Sequence, residues 1–508
     1  MCCNGNKKDK WYRRALLWSP SARITGIGVC LVLLLLLVPL LRIAEYAVPW
    51  YDDFSYGWFT KAAMKDTPGI RGALKGAFEC VRVQWYAWQG TFSSIFFMAL
   101  MPAVWGEEYY FLGPVCLILL LVVSIFVLMG VLLKDIFGAD RWSCLAVQSV
   151  TAAMAVVLIY SSQSGFYWYN AGVHYVGMHS FGMLFAACLI RMQHTEKMTG
   201  RMVLVLCSML GALLVSGSNF VTALQGGIVL LAAMLLVLCT AGKKVLWYLP
   251  ALMVYGIGFY KNVGAPGNAV RSANYVGWGY PPVEAVLRSF LEAFQNLGEL
   301  TGWITIAILV LLVPVIWQIA GESSFSFRWP GVVPVLSFCL YAAGYTPSLY
   351  SLGHGGLSRT WNAVKLTYQI LLVVNEIYLL GWFRKTLEQK GRKVWSGRCP
   401  WWFYLCVGAW MCGIFWQAPN QAGCYSSYGA YYYVHTGEAY NFYQEYQERL
   451  ELLKSDEKNV VFTPYRYKPW ILCMGDLYED PEREENLLVE TWYDKDSVIV
   501  REEASGAE

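Results

Sequence analysis

The chain reads as an all-α polytopic membrane protein of about eleven transmembrane helices, with a small α+β C-terminal region on the exoplasmic side. Three observations predict this. Of 508 residues, 57% are hydrophobic and only 15% charged, where a water-soluble protein carries roughly 25% charged residues; mean hydropathy is +0.40. The apolar residues arrive in blocks of bilayer-crossing length, such as VCLVLLLLLVPLL from Val29 and LGPVCLILLLVVSIFVLMGVLL from Leu112. Residues 417–508 hold 18 acids and 8 bases while the first 416 hold 17 acids and 31 bases, so the two parts face different surroundings. Basic patches with interleaved aromatics are missing outside the loops that flank spans, which excludes nucleic acid as a partner.

The elements follow in order. Lys7, Lys8, Lys10, Arg13, Arg14 and Arg23 precede a first span at about 24–41 and predict a cytoplasmic N-terminal segment, 1–23. With no small-residue cleavage pattern before Tyr46, the span reads as a retained anchor. Residues 24–416 form the membrane domain, with an exoplasmic loop at 46–110. Further spans are expected at about 111–133, 143–160, 173–190, 203–218, 221–240, 245–260, 303–320, 331–345, 366–383 and 401–416. Alternate threading puts Lys134, Arg141, Arg191, Lys197, Arg201, Lys243, Lys244, Arg328 and the basic run 384–398 inside, as the positive-inside rule requires. That threading needs the short apolar piece Phe92–Val104 to be a re-entrant or interfacial helix. The 161–172 turn, the 261–302 and 346–365 loops and the tail 417–508 then face outward. In the tail, helical character begins at Gly437, and NVVFTPYRY and ILCMGDL read as strands.

Fifteen cysteines mostly fall inside spans, where they act as small apolar residues. Cys80, Cys424 and Cys473 face outward, with Cys424–Cys473 the candidate disulfide, and no Cys/His spacing suits a metal site.

Five outward constellations could carry chemistry. Asp52 and Asp53 lie just past the first span among Trp50, Tyr51, Phe54 and Tyr56. Adjacent carboxylates at a membrane surface call for a cation, a proton or a substrate hydroxyl. One could serve as general base while its neighbour orients it or both bind Mg2+ or Mn2+; the plainer reading is two acids at a helix start. Trp168, Tyr169, Asn170, His174 and His179 suit sugar stacking and hydrogen bonding, or an ordinary aromatic belt. Asn219, in SGSNF, would be costly in lipid unless it faces a polar cavity. Lys261, Asn268 and Arg271 sit in KNVGAPGNAVRS, where an arginine fork suits phosphate oxygens or merely loop carbonyls. His354, Arg359 and Thr360 complete a basic wall with Arg271. The glycine-rich pieces lack the lysine of a nucleotide loop.

The basic N-terminus, one span, then Asp52-Asp53-Phe54, followed by SGSNF at 216–220, APGN with Arg271, SRT at 358–360 and a GDLYEDPEREENLLVETWY tail, resembles the GT-C superfamily of membrane glycosyltransferases, and within it an uncharacterised bacterial multi-spanning subgroup. The resemblance touches landmarks from 50 to 493. It implies a GT-C-like membrane domain in the bacterial cytoplasmic (inner) membrane and an inverting transfer of a sugar from a polyprenyl-phosphate donor to a cell-envelope glycan or lipid acceptor. It places Asp52 or Asp53 at the catalytic acid position, with Arg271, Arg359 and Lys261 toward the phosphate. Trp168, Tyr169, Asn170, His174, Asn219, Asn268 and His354 remain toward sugar or acceptor. Metal use stays open, since only part of the superfamily needs a divalent cation. No stretch of the tail matches a sequon-reading motif, which argues against N-glycan transfer to protein. A polysaccharide polymerase, a lipid or polysaccharide transporter without Asp-based catalysis, and a non-catalytic assembly protein are the competing classes.

Overall fold

A computed structural model describes residues 16–275, 277–417 and 425–501. The chain is mostly helical, and among the described residues eight helical runs are long and apolar enough to cross a membrane: Ala22–Tyr46, Glu107–Ile136, Tyr169–Gln193, Met198–Ser216, Phe220–Ala273, Trp303–Glu322, Val332–Leu352 and Ser358–Gln389. These make it a multi-pass membrane protein. The eleven expected spans map onto these eight runs and two shorter helices. The expected spans at 221–240 and 245–260 belong to one helical run, broken where Gly242 takes φ 54°. The helices Arg141–Val157 and Trp401–Gln417 are 17 residues each, about 26 Å at 1.5 Å per residue, the lower end of the length that crosses a bilayer.

Small residues set the close crossings, as expected where lipid supplies no hydrophobic drive between helices. A Cβ on Gly26 of the first span would meet the Trp142 carbonyl at 2.7 Å, so this glycine lets the helix Arg141–Val157 cross it closely. Leu33, Leu37, Leu40 and Ile43 turn inward from the same helix while Leu31, Leu35 and Val38 stay on its outside.

Basic loops gather at one end of the bundle. There Arg191 pairs with Asp135, Arg23 and Arg141 flank the Trp142 ring, and Arg384 bonds the Trp317 carbonyl. The other end is built from broken helices. After the first span come the helices Asp52–Asp66 and Ile70–Ala87, then the eight-residue helix Phe92–Ala99. The last spans about 12 Å and buries Ser93, Ser94, Ile95 and Met98, so it packs into the bundle without crossing it.

The C-terminal region contains the helices Ser426–His435, Glu438–Lys454 and Glu484–Tyr493 and a two-stranded parallel sheet, Asn459–Phe462 beside Ser497–Val500. NVVF is thus a strand, but ILCMGDL is not. Its Asp476 accepts from the N–H groups of Tyr465 and Leu477 and pairs with Arg449, which holds the segment as a loop, and Ser497–Val500 takes the partner position. Cys424 lies outside the described residues; Cys473 is a free thiol beside the Gly475 carbonyl, and Cys80 is free and buried.

The region docks on the first loop through aromatic and ionic contacts. Glu107 accepts from Tyr493, Trp492 and Tyr446, and Lys61 lies 4.0 Å from the Trp492 ring centre while donating to the Trp492 carbonyl.

Candidate functional site

Asp52 and Asp53 open the helix Asp52–Asp66, whose N-terminus favours negative charge. Successive helical side chains diverge by about 100°, so the two acids meet different surroundings. Asp53 is fully buried and accepts three hydrogen bonds: from the Tyr110 hydroxyl at 2.6 Å, the Trp50 N–H at 3.0 Å and the Asn170 N–H at 3.0 Å. Burial, outweighing those bonds, pushes its carboxyl up to about 7. The carboxylate of Asp52 makes no hydrogen bond or ion pair among the described residues. Burial raises it to about 6, opposed by Arg359, reinforced by Glu484 and opposed again by Arg271.

The backbone ahead of the pair is strained. Tyr51 holds φ 44°, a region that costs a non-glycine residue about 1–3 kcal/mol. It is held between the Asp53 bond to Trp50 and its own hydroxyl, which donates to Glu484 of the C-terminal region at 2.6 Å.

Arg271 reaches the site through a close approach of two turns. A Cβ on Gly267 would meet the Trp88 and Gln89 nitrogens at 2.6 and 2.7 Å, so only glycine lets the APGN turn lie on the 88–90 turn. Asn268 locks the contact by accepting from the Gly90 N–H and donating to the carbonyls of Asn262 and Val263. Arg271 then bonds the Gln89 side chain at 2.6 Å and sits over the Trp88 ring. Arg359 stands in the first turn of the helix Ser358–Gln389, after a loop turned by Gly353 (φ 74°) and Gly356 (φ 105°), with its guanidinium 5.4 Å from the Trp168 ring centre. Both arginines also act on His174, whose Nδ1 is 2.8 Å from the Ser94 hydroxyl.

Asp52, Arg271, Arg359, Trp168 and His174 therefore converge. Asn170 joins them through its backbone and its Nδ2, which donates to the Asp52 carbonyl; its Oδ1 and the Trp168 indole N–H are buried without a partner among the described residues. Other sequence candidates are spent elsewhere. Asn219 caps the helix Phe220–Ala241, accepting from the Thr222 N–H and donating to the His174 carbonyl. Asn268 is consumed by its turn, and Tyr169 donates to the Phe97 carbonyl. His354 is exposed and accepts from the Gly356 N–H. His179 lies deeper, against Thr367. Lys261 is exposed, faces Trp85 and lines an apolar groove with Phe92, Leu213 and Ile257; its charge is not among those acting on Asp52.

Mg2+ or Mn2+ does not fit the aspartate pair. The Asp53 oxygens are turned toward three N–H and O–H donors, Asp52 faces two guanidinium groups, and the described residues hold no cluster of three metal-ligating side chains.

Sequence reasoning missed Tyr110, Gln89 and Glu484. Tyr110 has nothing in its sequence surroundings to set it apart, yet it donates to Asp53 and accepts from the Tyr169 N–H. Gln89, a lone amide between aromatics and Gly90, carried a faint signal; Glu484 sits in a run of acids and carried none. The site can take a proton at Asp52 and offset an anion with two arginines. Comparisons with family models, curated proteins and solved structures give no match for this chain.

Proposed function

We propose that the protein transfers a sugar from a polyprenyl-phosphate carrier to a hydroxyl of a cell-envelope glycan or lipid acceptor, with inversion at the anomeric carbon, at the outer face of a bacterial cytoplasmic membrane. The observation that carries this reading is the division of labour in the aspartate pair: Asp53 is saturated with hydrogen bonds, while Asp52 keeps a free carboxylate facing Arg271 and Arg359. The collection of basic loops at the opposite end of the bundle supports the orientation.

Asp52 takes the proton of the acceptor hydroxyl as its oxygen attacks the anomeric carbon. The bond from that carbon to the phosphate oxygen breaks on the opposite face, and the electron pair leaves with the lipid phosphate. Arg271 and Arg359 offset the charge that develops there. Trp168 offers a ring to the sugar, and the unpartnered indole N–H and Asn170 Oδ1 offer a donor and an acceptor.

The test is turnover of a panel of radiolabelled polyprenyl-phosphate sugars by membranes containing wild-type or Asp52→Asn protein. Loss of the general base should lower transfer about 10²- to 10⁴-fold with the thermal midpoint unchanged or raised, since no hydrogen bond to that carboxylate is lost. Full activity in Asp52→Asn would reject the base and favour a polymerase or transporter.

A further inference from the structure

The loop 261–302, expected to be an outward connection, contains a helix with three distinct faces, Pro282–Gln295. Ala285, Ser289 and Ala293, four residues apart, are buried and pack the helix against Val332–Ala343 and Thr346–Leu352. Glu284, Arg288, Glu292 and Gln295 form a second face, on which Arg288 pairs with Glu284 at 2.8 Å and covers the Tyr280 ring. The third face carries Val283, Val286, Leu287, Phe290, Leu291 and Phe294, all large, all apolar and between 37 and 74% exposed. At about 100° per residue they occupy a continuous arc of roughly 140°. Among the described residues nothing covers that arc.

We propose that Pro282–Gln295 lies in the plane of the bilayer interface, with the Val283–Phe294 face sunk among the upper acyl chains. Two features favour lipid as the occupant. The helix packs on the membrane-crossing run Val332–Leu352, and Phe290 of its exposed face touches Phe338 there. The next span begins eight residues after the helix ends with Trp303, two-thirds exposed, and Trp278 stands exposed before the helix begins, the placement of aromatic anchors at a membrane surface. The charged face holds two acids and one base, so the attraction is apolar and does not require anionic lipid. Seated this way, the helix holds the 261–302 segment, and Arg271 within it, at the level where a lipid phosphate resides.

The experiment is photolabelling of the full-length protein in phosphatidylcholine nanodiscs, with a diazirine placed either near the headgroup end or at the terminus of the acyl chain, and adducts mapped by tandem mass spectrometry. The outer residues Leu31 and Leu35 of the first span are the internal positive control; Val461 of the C-terminal region is the negative one. Adducts at Leu287, Leu291 and Phe294, several-fold more from the shallow probe than from the terminal probe and unchanged when anionic lipid is added, support the proposal. Labelled spans with an unlabelled 283–294 segment would overturn it and indicate a covering protein surface, a second copy included. Equal labelling by both probes would also overturn it, since the helix would then lie deep. None of these outcomes depends on sugar transfer, so the proposal stands or falls apart from the enzymatic reading.

Discussion

Replacing Asp53 by asparagine separates the hydrogen-bonded carboxylate from the one proposed to act as base. Three donors end on Asp53, and an asparagine keeps a single oxygen for them. With that oxygen toward Tyr110 and Trp50, the new amide faces the Asn170 N–H, which leaves that N–H and the amide itself buried without acceptors at about 1–3 kcal/mol each. The opposite rotamer sets the amide against Tyr110 and Trp50 instead, which is worse. Acting the other way is the charge. Burial lifts the Asp53 carboxyl from 3.8 to about 7, so between those values the folded protein holds a proton that the unfolded chain has released. Wild-type stability therefore falls as pH rises through that window. Asparagine has no such dependence. The defect of Asp53→Asn should be largest near pH 4.5 and shrink by roughly 3 kcal/mol by pH 7.5, at 1.36 kcal/mol per pKa unit. Unfolding in detergent, followed by near-ultraviolet circular dichroism at pH 4.5, 6 and 7.5, reads this directly. A difference that does not change with pH, or no defect at pH 4.5, would refute the assignment of Asp53 as a buried, hydrogen-bonded keystone.

Two further perturbations probe the junction with the C-terminal region. Glu484→Gln removes a negative charge that raises the Asp52 carboxyl, so the acidic limb of the pH–rate profile should move below about 6; an unmoved limb would detach the tail from the site. Lys61→Met loses a cation over the Trp492 ring, worth about 0.5–2 kcal/mol, and the bond to the Trp492 carbonyl. Limited proteolysis should then cut within 425–501 faster than in the wild type, and an unchanged rate would show that Glu107 and the aromatic contacts suffice to hold the region.

The helical membrane domain was legible because bilayer-crossing length and apolar composition are local properties of the sequence. Its broken places were less so. The run Phe220–Ala273 is broken between its two expected spans by Gly242, at positive φ, and by the tighter 3-10 turns of Gly242–Tyr248 that follow it. Asn219 and Asn268 read as ligand-binding amides, and both turn out to satisfy backbone groups freed by helix breaks. That outcome has a physical reason: at membrane depth every freed N–H and C=O needs a protein partner, and an asparagine supplies a donor and an acceptor together. Asn262 does the same for the carbonyls of Ser216 and Ser218, and Asn362 for both backbone groups of Ser161. An asparagine at a span boundary is therefore weaker evidence of a binding site than an arginine that lacks a carboxylate partner.

The aspartate pair depends on distant segments most of all. In the sequence Asp52 and Asp53 are equivalent, and nothing in DDF says which one is free. What separates them is the roughly 100° between consecutive helical side chains, together with the arrival of Tyr110 and Asn170 on one side and of Arg271 and Arg359 on the other, from segments up to three hundred residues away. Were Asp52 also saturated, the two arginines would face a carboxylate with no capacity to accept a proton. Were Asp53 also free, two unsatisfied carboxylates would repel each other in a buried place, and the strained Tyr51 would lose the bond that fixes the helix start behind it. Spending one acid on architecture is what allows its neighbour to remain available at a pKa raised by burial to about 6, where it is ionised at neutral pH yet basic enough for the proton transfer we propose.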